Sequence, residues 1–302
     1  MSSSDTATVD TQGFAQPSPA QAAQSAVFDL FCTPLLRPGQ AWEDEVLATA
    51  TEVGTVGHAG DDLPVYRWGD GPTVVLTHGW GARAAHLGGL AHALADAGFS
   101  AVAYDAPAHT RAAMAGRARR QATMVDFARA LQAVGQLIGP VHALVGHSAG
   151  GVASAFAASG FVDTLVSTPE VPPSSARAAH RRIDVERLIL VSTPDRLSSM
   201  IAAWSQTSGA GAQVIEPLHR EILRRFGVPV EAFSVSAHAR LLPARTLLIH
   251  DAEDVRVPIS EAQRVDTALG GDRLVTTRGL GHNHTLTDRD VAARIIAHLR
   301  RG

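Results

Sequence analysis

The sequence predicts an α/β protein: a mostly parallel sheet of roughly eight strands, helices on both faces, and a small helical cap. Three observations point there. Short runs such as Thr73–Thr77 and Phe99–Tyr104 are apolar without alternation, as strands covered on both faces are. They alternate with segments of helical period, the clearest being Met124/Phe127/Leu131/Val134/Leu137-Ile138. One apolar run, Val141–Val145, turns through Gly146-His147-Ser148-Ala149-Gly150 and continues into the Ala-rich Gly151–Ala158, the layout of strand, sharp turn and helix.

Residues 1–25 are Ser, Thr, Ala, Gln and Pro with almost no large apolar side chain. Such a stretch cannot offset the entropy of ordering, and a disordered tail is expected, with the folded domain running from 26 to 302. Val27-Phe28-Asp29-Leu30-Phe31 is a short apolar patch expected to dock on that domain. A helix is expected over Glu43–Ala50. Glu52–Gly57 and Leu63–Trp68 read as an antiparallel hairpin at the sheet edge, joined by the turn cluster His58-Ala59-Gly60-Asp61-Asp62. The alternation then begins. Thr73–Thr77 is the first central strand, His86–Ala97 a helix capped by Gly98, and Phe99–Tyr104 a second strand. Thr123–Ile138 is a helix stopped by Gly139-Pro140. The strand before Gly146 follows, then strands at Val185–Ser192, Arg245–His250 and Arg273–Thr277, and a last helix at Asp290–Leu299. Two segments break the rhythm. Residues 160–184 hold Pro169, Pro172 and Pro173 and read as an irregular insertion. Residues 194–242 are too long for one crossover helix. They carry the stripes Leu197/Met200-Ile201/Trp204 and Val214-Ile215/Leu218/Ile222/Phe226, the pattern of a small helical cap.

Composition excludes several functions. The 302 residues carry a net charge of −3 with 18% charged residues, so no basic face for nucleic acid is implied. All 26 basic residues are Arg. The absence of lysine rules out a Walker-type lysine, a pyridoxal Schiff base and a lysine nucleophile. Cys32 is the only cysteine, which excludes an internal disulfide and a cysteine metal cage. Met1–Asp5 has no secretion-signal character and no run reaches the length of a membrane span, so the cytoplasm is the expected location. No cofactor and no metal are expected.

Gly146-His147-Ser148-Ala149-Gly150 reads G-x-S-x-G, the nucleophile elbow. The turn is strained, and a Cβ two residues either side of the serine would collide with neighbouring backbone. It holds one hydroxyl clear of the sheet at a helix N-terminus, where free N–H groups favour developing negative charge. Four further segments follow one order along the chain: His78-Gly79-Trp80-Gly81, Asp105-Ala106-Pro107-Ala108-His109, the loop His250-Asp251-Ala252-Glu253-Asp254-Val255-Arg256-Val257-Pro258, and Gly279-Leu280-Gly281-His282.

In these five segments the chain resembles the α/β-hydrolase superfamily over roughly residues 52–300. They match its H-G-x oxyanion loop, its D-x-P-G-H-G turn (with Ala108 and Thr110 where glycine is usual), its elbow, its H-D-x-x-D-x-x-V-P acid loop and its G-x-G-H loop. The resemblance implies a Ser148, Asp254, His282 triad in the superfamily's chain order, with the backbone N–H groups of Trp80 and Ala149 as oxyanion donors. Asp251 and Glu253 compete with Asp254, as does Asp195 after the fourth central strand. His284 competes with His282. His78, Met200 and Trp204 are the expected pocket residues, although core packing explains the last two equally well. The implied activity is hydrolysis of a carboxylic ester or thioester of a small to medium substrate through an acyl-enzyme. Acyl transfer, C–C bond hydrolysis with the same triad, and a catalytically silent binding module remain alternatives.

Overall fold

The computed structural model describes residues 18–58, 60–165 and 182–301. Eight strands make one sheet: β1 (Thr51–His58), β2 (Asp61–Trp68), β3 (Thr73–Thr77), β4 (Ser100–Tyr104), β5 (Ala143–His147), β6 (Arg187–Val191), β7 (Arg245–Asp251) and β8 (Leu274–Thr277). Their spatial order is β1-β2-β4-β3-β5-β6-β7-β8. The β1–β2 and β2–β4 pairs are antiparallel, so the expected hairpin lies at one edge, and every other pair is parallel. Chain order and spatial order part at β3 and β4. The chain therefore leaves the C-terminal end of β3 in one direction and that of β5 in the other, and a crevice opens there.

Helices cover both faces because the central strands are buried on both. In β5, Leu144 packs into one core with Phe127, Leu131 and Val152, while Ala143 and Val145 enter a second core with Leu94, Ile295 and Leu299. The first core is roofed by α1 (Pro19–Phe31), α5 (Met124–Ile138) and α6 (Ala149–Ser159), the second by α3 (Gly88–Asp96) and α11 (Arg289–Arg300). Shorter α2 (Ala41–Ala48), α4 (Arg111–Met114) and α7 (Phe161–Thr164) fill the remaining gaps in the first half. Between β6 and β7 the chain forms α8 (Leu197–Thr207) and α9 (Ile215–Phe226) with 3-10 turns at 212–214, 230–232 and 236–241. α10 (Ser260–Ala268) joins β7 to β8. α5 starts as its sequence dictates: Thr123 Oγ accepts from Asp126 N–H while Asp126 Oδ2 accepts from Thr123 N–H, a reciprocal cap.

Three expectations need correction or completion. α1 begins at Pro19, inside the stretch expected to be a disordered tail; residues 1–17 lie outside the described residues. Ser18 and Gln21 cap one another across its first turn, Pro19 sits at the first helical position, and Phe28 and Cys32 bury the far end. The sequence before Val27 gives no sign of that anchor. Of the expected irregular insertion, 166–181 lie outside the described residues, and its first part is α7, with Phe161 and Val162 buried. α10 had no sequence signature strong enough to read, yet β7 and β8 are parallel and need a crossover between them. Among the described residues no helix is long and apolar enough to cross a membrane.

Candidate active site

Ser148 sits between the end of β5 and the start of α6 at φ 54°, ψ −123°, a conformation that few residues with a side chain adopt. Its N–H donates to Val191 C=O at 2.9 Å and its own C=O accepts from Gly151 N–H at 2.9 Å, which hold the turn in place. The glycines make the turn possible. A Cβ on Gly146 would overlap the Gly150 carbonyl, one on Gly150 the carbonyls of Thr77 and His78, and one on Gly151 the Thr193 hydroxyl. Ala149 opens α6, so its N–H belongs to the first turn, where a helix supplies no acceptor of its own.

The loop after β3 lies directly against this turn. A Cβ on Gly79 would stand 3.1 Å from Ser148 Cβ, so Gly79 lets the Trp80 peptide approach the serine. Two buried histidines fix the loop. His78 Nε2 accepts from Ala106 N–H at 2.9 Å, and its Nδ1 pairs with Gly79 C=O at 2.8 Å. His109 Nε2 accepts from Gly81 N–H at 2.9 Å, and its Nδ1 pairs with Pro107 C=O at 2.8 Å. Each ring thus donates once and accepts once, which requires the neutral form. Burial pushes the His109 pKa down to about 4 and that of His78 well below its usual value. His109 reads from the sequence as part of a surface turn; instead it is wholly buried and is part of the loop's support. Asp105 Oδ1 accepts from Ala84 N–H, and the buried Arg83–Glu43 pair anchors the preceding residue to α2 at 2.6–2.7 Å.

Asp254 and His282, from loops after β7 and β8, meet: Nδ1 of the imidazole stands 2.7 Å from Oδ2 of the carboxylate. Oδ1 of Asp254 accepts from the N–H groups of Arg256 and Val257, both at 2.9 Å. Burial raises its pKa, but the His282 hydrogen bond and these two N–H groups outweigh burial and hold the group below the usual carboxylate range. With Nδ1 donating to Asp254, Nε2 of His282 is left as the basic nitrogen. His147, the residue before Ser148, lies 4.9 Å from the His282 ring by centroids and bonds the His282 carbonyl through Nε2 at 2.9 Å. Burial, with a smaller contribution from the neighbouring His282 ring, lowers the His147 pKa to about 4. The elbow and the histidine loop are therefore neighbours. Among the described residues no hydrogen bond joins the Ser148 hydroxyl to His282.

The competing residues have other partners. Asp251 accepts from Glu253 N–H through Oδ1 and from Thr277 Oγ and Leu280 N–H through Oδ2, tying the acid loop to the histidine loop. Glu253 is exposed. Asp195, buried after β6, takes up Ser234, Ser236 and Arg264. His284 is exposed at the start of a 3-10 turn. No group of three or more His, Cys, Asp or Glu among the described residues could hold a metal ion.

Beside the loop that follows β3 lies a cavity of about 200 Å³. Trp80, Met200 and Trp204 line it together; His78 does not, because both of its ring nitrogens are bound to backbone beneath the loop. The residues that sequence reasoning missed come from α1 and its C-terminal cap, namely Phe28, Phe31 and Cys32, and from the start of α5. The Val27–Phe31 apolar patch was the available signal, but nothing in it distinguishes a docking face from a cavity wall.

The comparisons agree with this architecture. Solved structures with similar folds include an esterase from the Planctomycetes species Thermogutta terrifontis with butyrate bound (18% identity, TM-score 0.57, covering 83% of this chain and 92% of that one). Others are a bacterial membrane phospholipase A (16%, 0.57, 94% and 93%) and Est816, described as an N-acyl homoserine lactone degrading enzyme (14%, 0.57, 80% and 98%). At such identities they speak to fold alone. No curated protein sequence matches the chain. The profile described as "Alpha/beta hydrolase family" matches residues 74–294, from β3 to within α11, and the chain belongs to the α/β-hydrolase family.

Proposed function

We propose that this hydrolase cleaves a carboxylic ester or thioester of a small to medium substrate, using Ser148 as nucleophile, His282 as general base and acid, and Asp254 to orient the imidazole. The observation that carries the reading is the 2.7 Å Asp254–His282 contact beside a serine held at positive φ. Ser148 Oγ attacks the carbonyl carbon as its proton passes to His282 Nε2. Negative charge develops on the carbonyl oxygen, where the N–H groups of Trp80 and Ala149 receive it, each worth about 3 kcal/mol of barrier. Collapse breaks the bond to the leaving alkoxide or thiolate, which takes the proton from His282. Water, deprotonated by the same nitrogen, then releases the acid and restores Ser148. Serine–histidine bonds in such sites commonly shorten only once substrate is bound.

A fluorophosphonate probe tests the reading. Stoichiometric labelling of the wild type, absent from Ser148→Ala, with turnover of short-chain nitrophenyl esters, is expected. Equal labelling of the two proteins would overturn it, and labelling without turnover would favour an acyltransferase.

A further inference from the structure

The cavity is built from segments that meet only in the folded chain. Phe28 and Phe31 come from α1 and Cys32 from its C-terminal cap, Leu197, Met200 and Trp204 from α8, and Ile222 and Phe226 from α9. Trp80, on the loop that abuts Ser148, lines it as well. No charged side chain lines it, and its single lining hydroxyl, that of Thr123, is donated to the Asp126 carboxylate at 2.7 Å. Water inside would find few partners, so the space suits an apolar occupant. α1 precedes residue 74, where the family's shared region starts.

α1 is fixed, not loosely laid. Glu221 of α9, 1% exposed, accepts from Ser25 Oγ at 3.0 Å and from Arg224 and Arg225 at 2.7–2.8 Å. The Arg225 guanidinium lies 4.3 Å from the centre of the Phe28 ring. Phe31 meets Trp204 edge-on at 5.4 Å, closing the gap between α1 and α8.

Resting on the serine-hydrolase reading, we infer that this cavity is the acyl subsite, that it takes an unsubstituted apolar acyl chain of medium length, and that Phe31 of α1 together with Met200 sets the length limit. A methylene occupies about the room of a water molecule, roughly 30 Å³. The space therefore holds on the order of six carbons. Each buried methylene multiplies kcat/KM by about fourfold until the cavity is full. A charge on the chain has no counter-charge there and is rejected.

The test is a series of straight-chain nitrophenyl esters from two to twelve carbons, run on full-length wild type, Phe31→Ala, Met200→Trp and Ser148→Ala, with thermal melts to confirm folding. The profile is expected to climb to about six to eight carbons and then fall. Phe31→Ala moves the maximum to longer chains and Met200→Trp to shorter ones, each by two carbons or more. A Ser148-dependent profile that stays put in both folded variants, or that climbs through twelve carbons in the wild type, overturns the subsite and leaves the serine reading standing. Turnover that persists in Ser148→Ala overturns the serine reading. Calorimetric titration of hexanoate into Ser148→Ala probes the cavity without chemistry. Saturable binding weakened by adding Met200→Trp is expected, and no binding overturns the subsite.

Discussion

Replacing Asp254 by Asn keeps the shape of the site and changes only which atoms donate. The amide oxygen can still accept from the N–H groups of Arg256 and Val257, where Oδ1 now sits. That choice turns the amide NH2 towards His282 Nδ1, 2.7 Å from the present Oδ2. Two donors cannot face each other, so the imidazole must take the other tautomer, with Nδ1 accepting and the proton on Nε2. Nε2 is then unable to take the Ser148 proton. If the proposed triad operates, the wrong tautomer lowers kcat by about 10⁴, or roughly 5 kcal/mol of barrier. Steady-state kinetics on the best nitrophenyl ester, with the rate of fluorophosphonate labelling as a second readout, measure the loss. The melting temperature should change little, because both loop N–H groups keep an acceptor. Asp195→Asn serves as the contrast: it disturbs Ser234, Ser236 and Arg264, and should cost stability more than turnover. If Asp254→Asn retains activity within tenfold of wild type while Asp195→Asn abolishes it, the assignment of the acid is wrong.

Two further outcomes follow from the loop that carries Trp80. His109 and His147, with pKa values near 4, and His78, held well below its usual value by burial, are neutral in the folded protein, whereas an unfolded histidine titrates near 6.5. Between pH 6.5 and 4 the unfolded chain binds more protons at these sites, so their contribution falls as pH falls. Asp105, raised to about 6 by burial, works in the opposite sense below pH 6, so the comparison to make is between variants. Urea midpoints from pH 7 to pH 4 should fall less steeply in His109→Gln, by about one proton, and superimposable slopes would contradict the neutral ring. Glu43→Ala strands the Arg83 guanidinium, 3% exposed, without its carboxylate. Breaking a buried pair in this way costs about 3–5 kcal/mol. Calorimetry should show the melting temperature down by on the order of 10 °C, and a loss of only a degree or two would mean that the pair adds little.

The sheet was legible because its strands are apolar on both faces and separated by helices of clear period; β5 and α5 leave little room for another reading. Asp254 and His282 stood out because short loop motifs surround them, and the fold brings the two loops to 2.7 Å. The rest depended on burial by distant residues. Nothing within Asp105–His109 shows that His109 is enclosed, since Trp80 and Phe127 cover it from other parts of the chain. α1 reads as a polar, Ala- and Gln-rich tail until α9 supplies Glu221 and Phe226 to hold it. Met200 and Trp204 share one helical stripe with Leu197 and Ile201, and periodicity alone does not separate a cavity wall from core. Ile201 is fully buried, while Met200 and Trp204 remain partly open beside the cavity.

The pair of imidazoles beneath residues 79–81 has an evolutionary corollary. Each is committed at both nitrogens to main-chain atoms, so neither can be exchanged for a larger, smaller or charged residue without releasing the peptide planes above it. New substrate preferences selected in the laboratory should therefore accumulate in the helices between β6 and β7 and along the amino-terminal helix, where a side chain can change size without moving the backbone. A library confined to positions 78, 79 and 109 should return mostly inactive clones, however generously it is sampled.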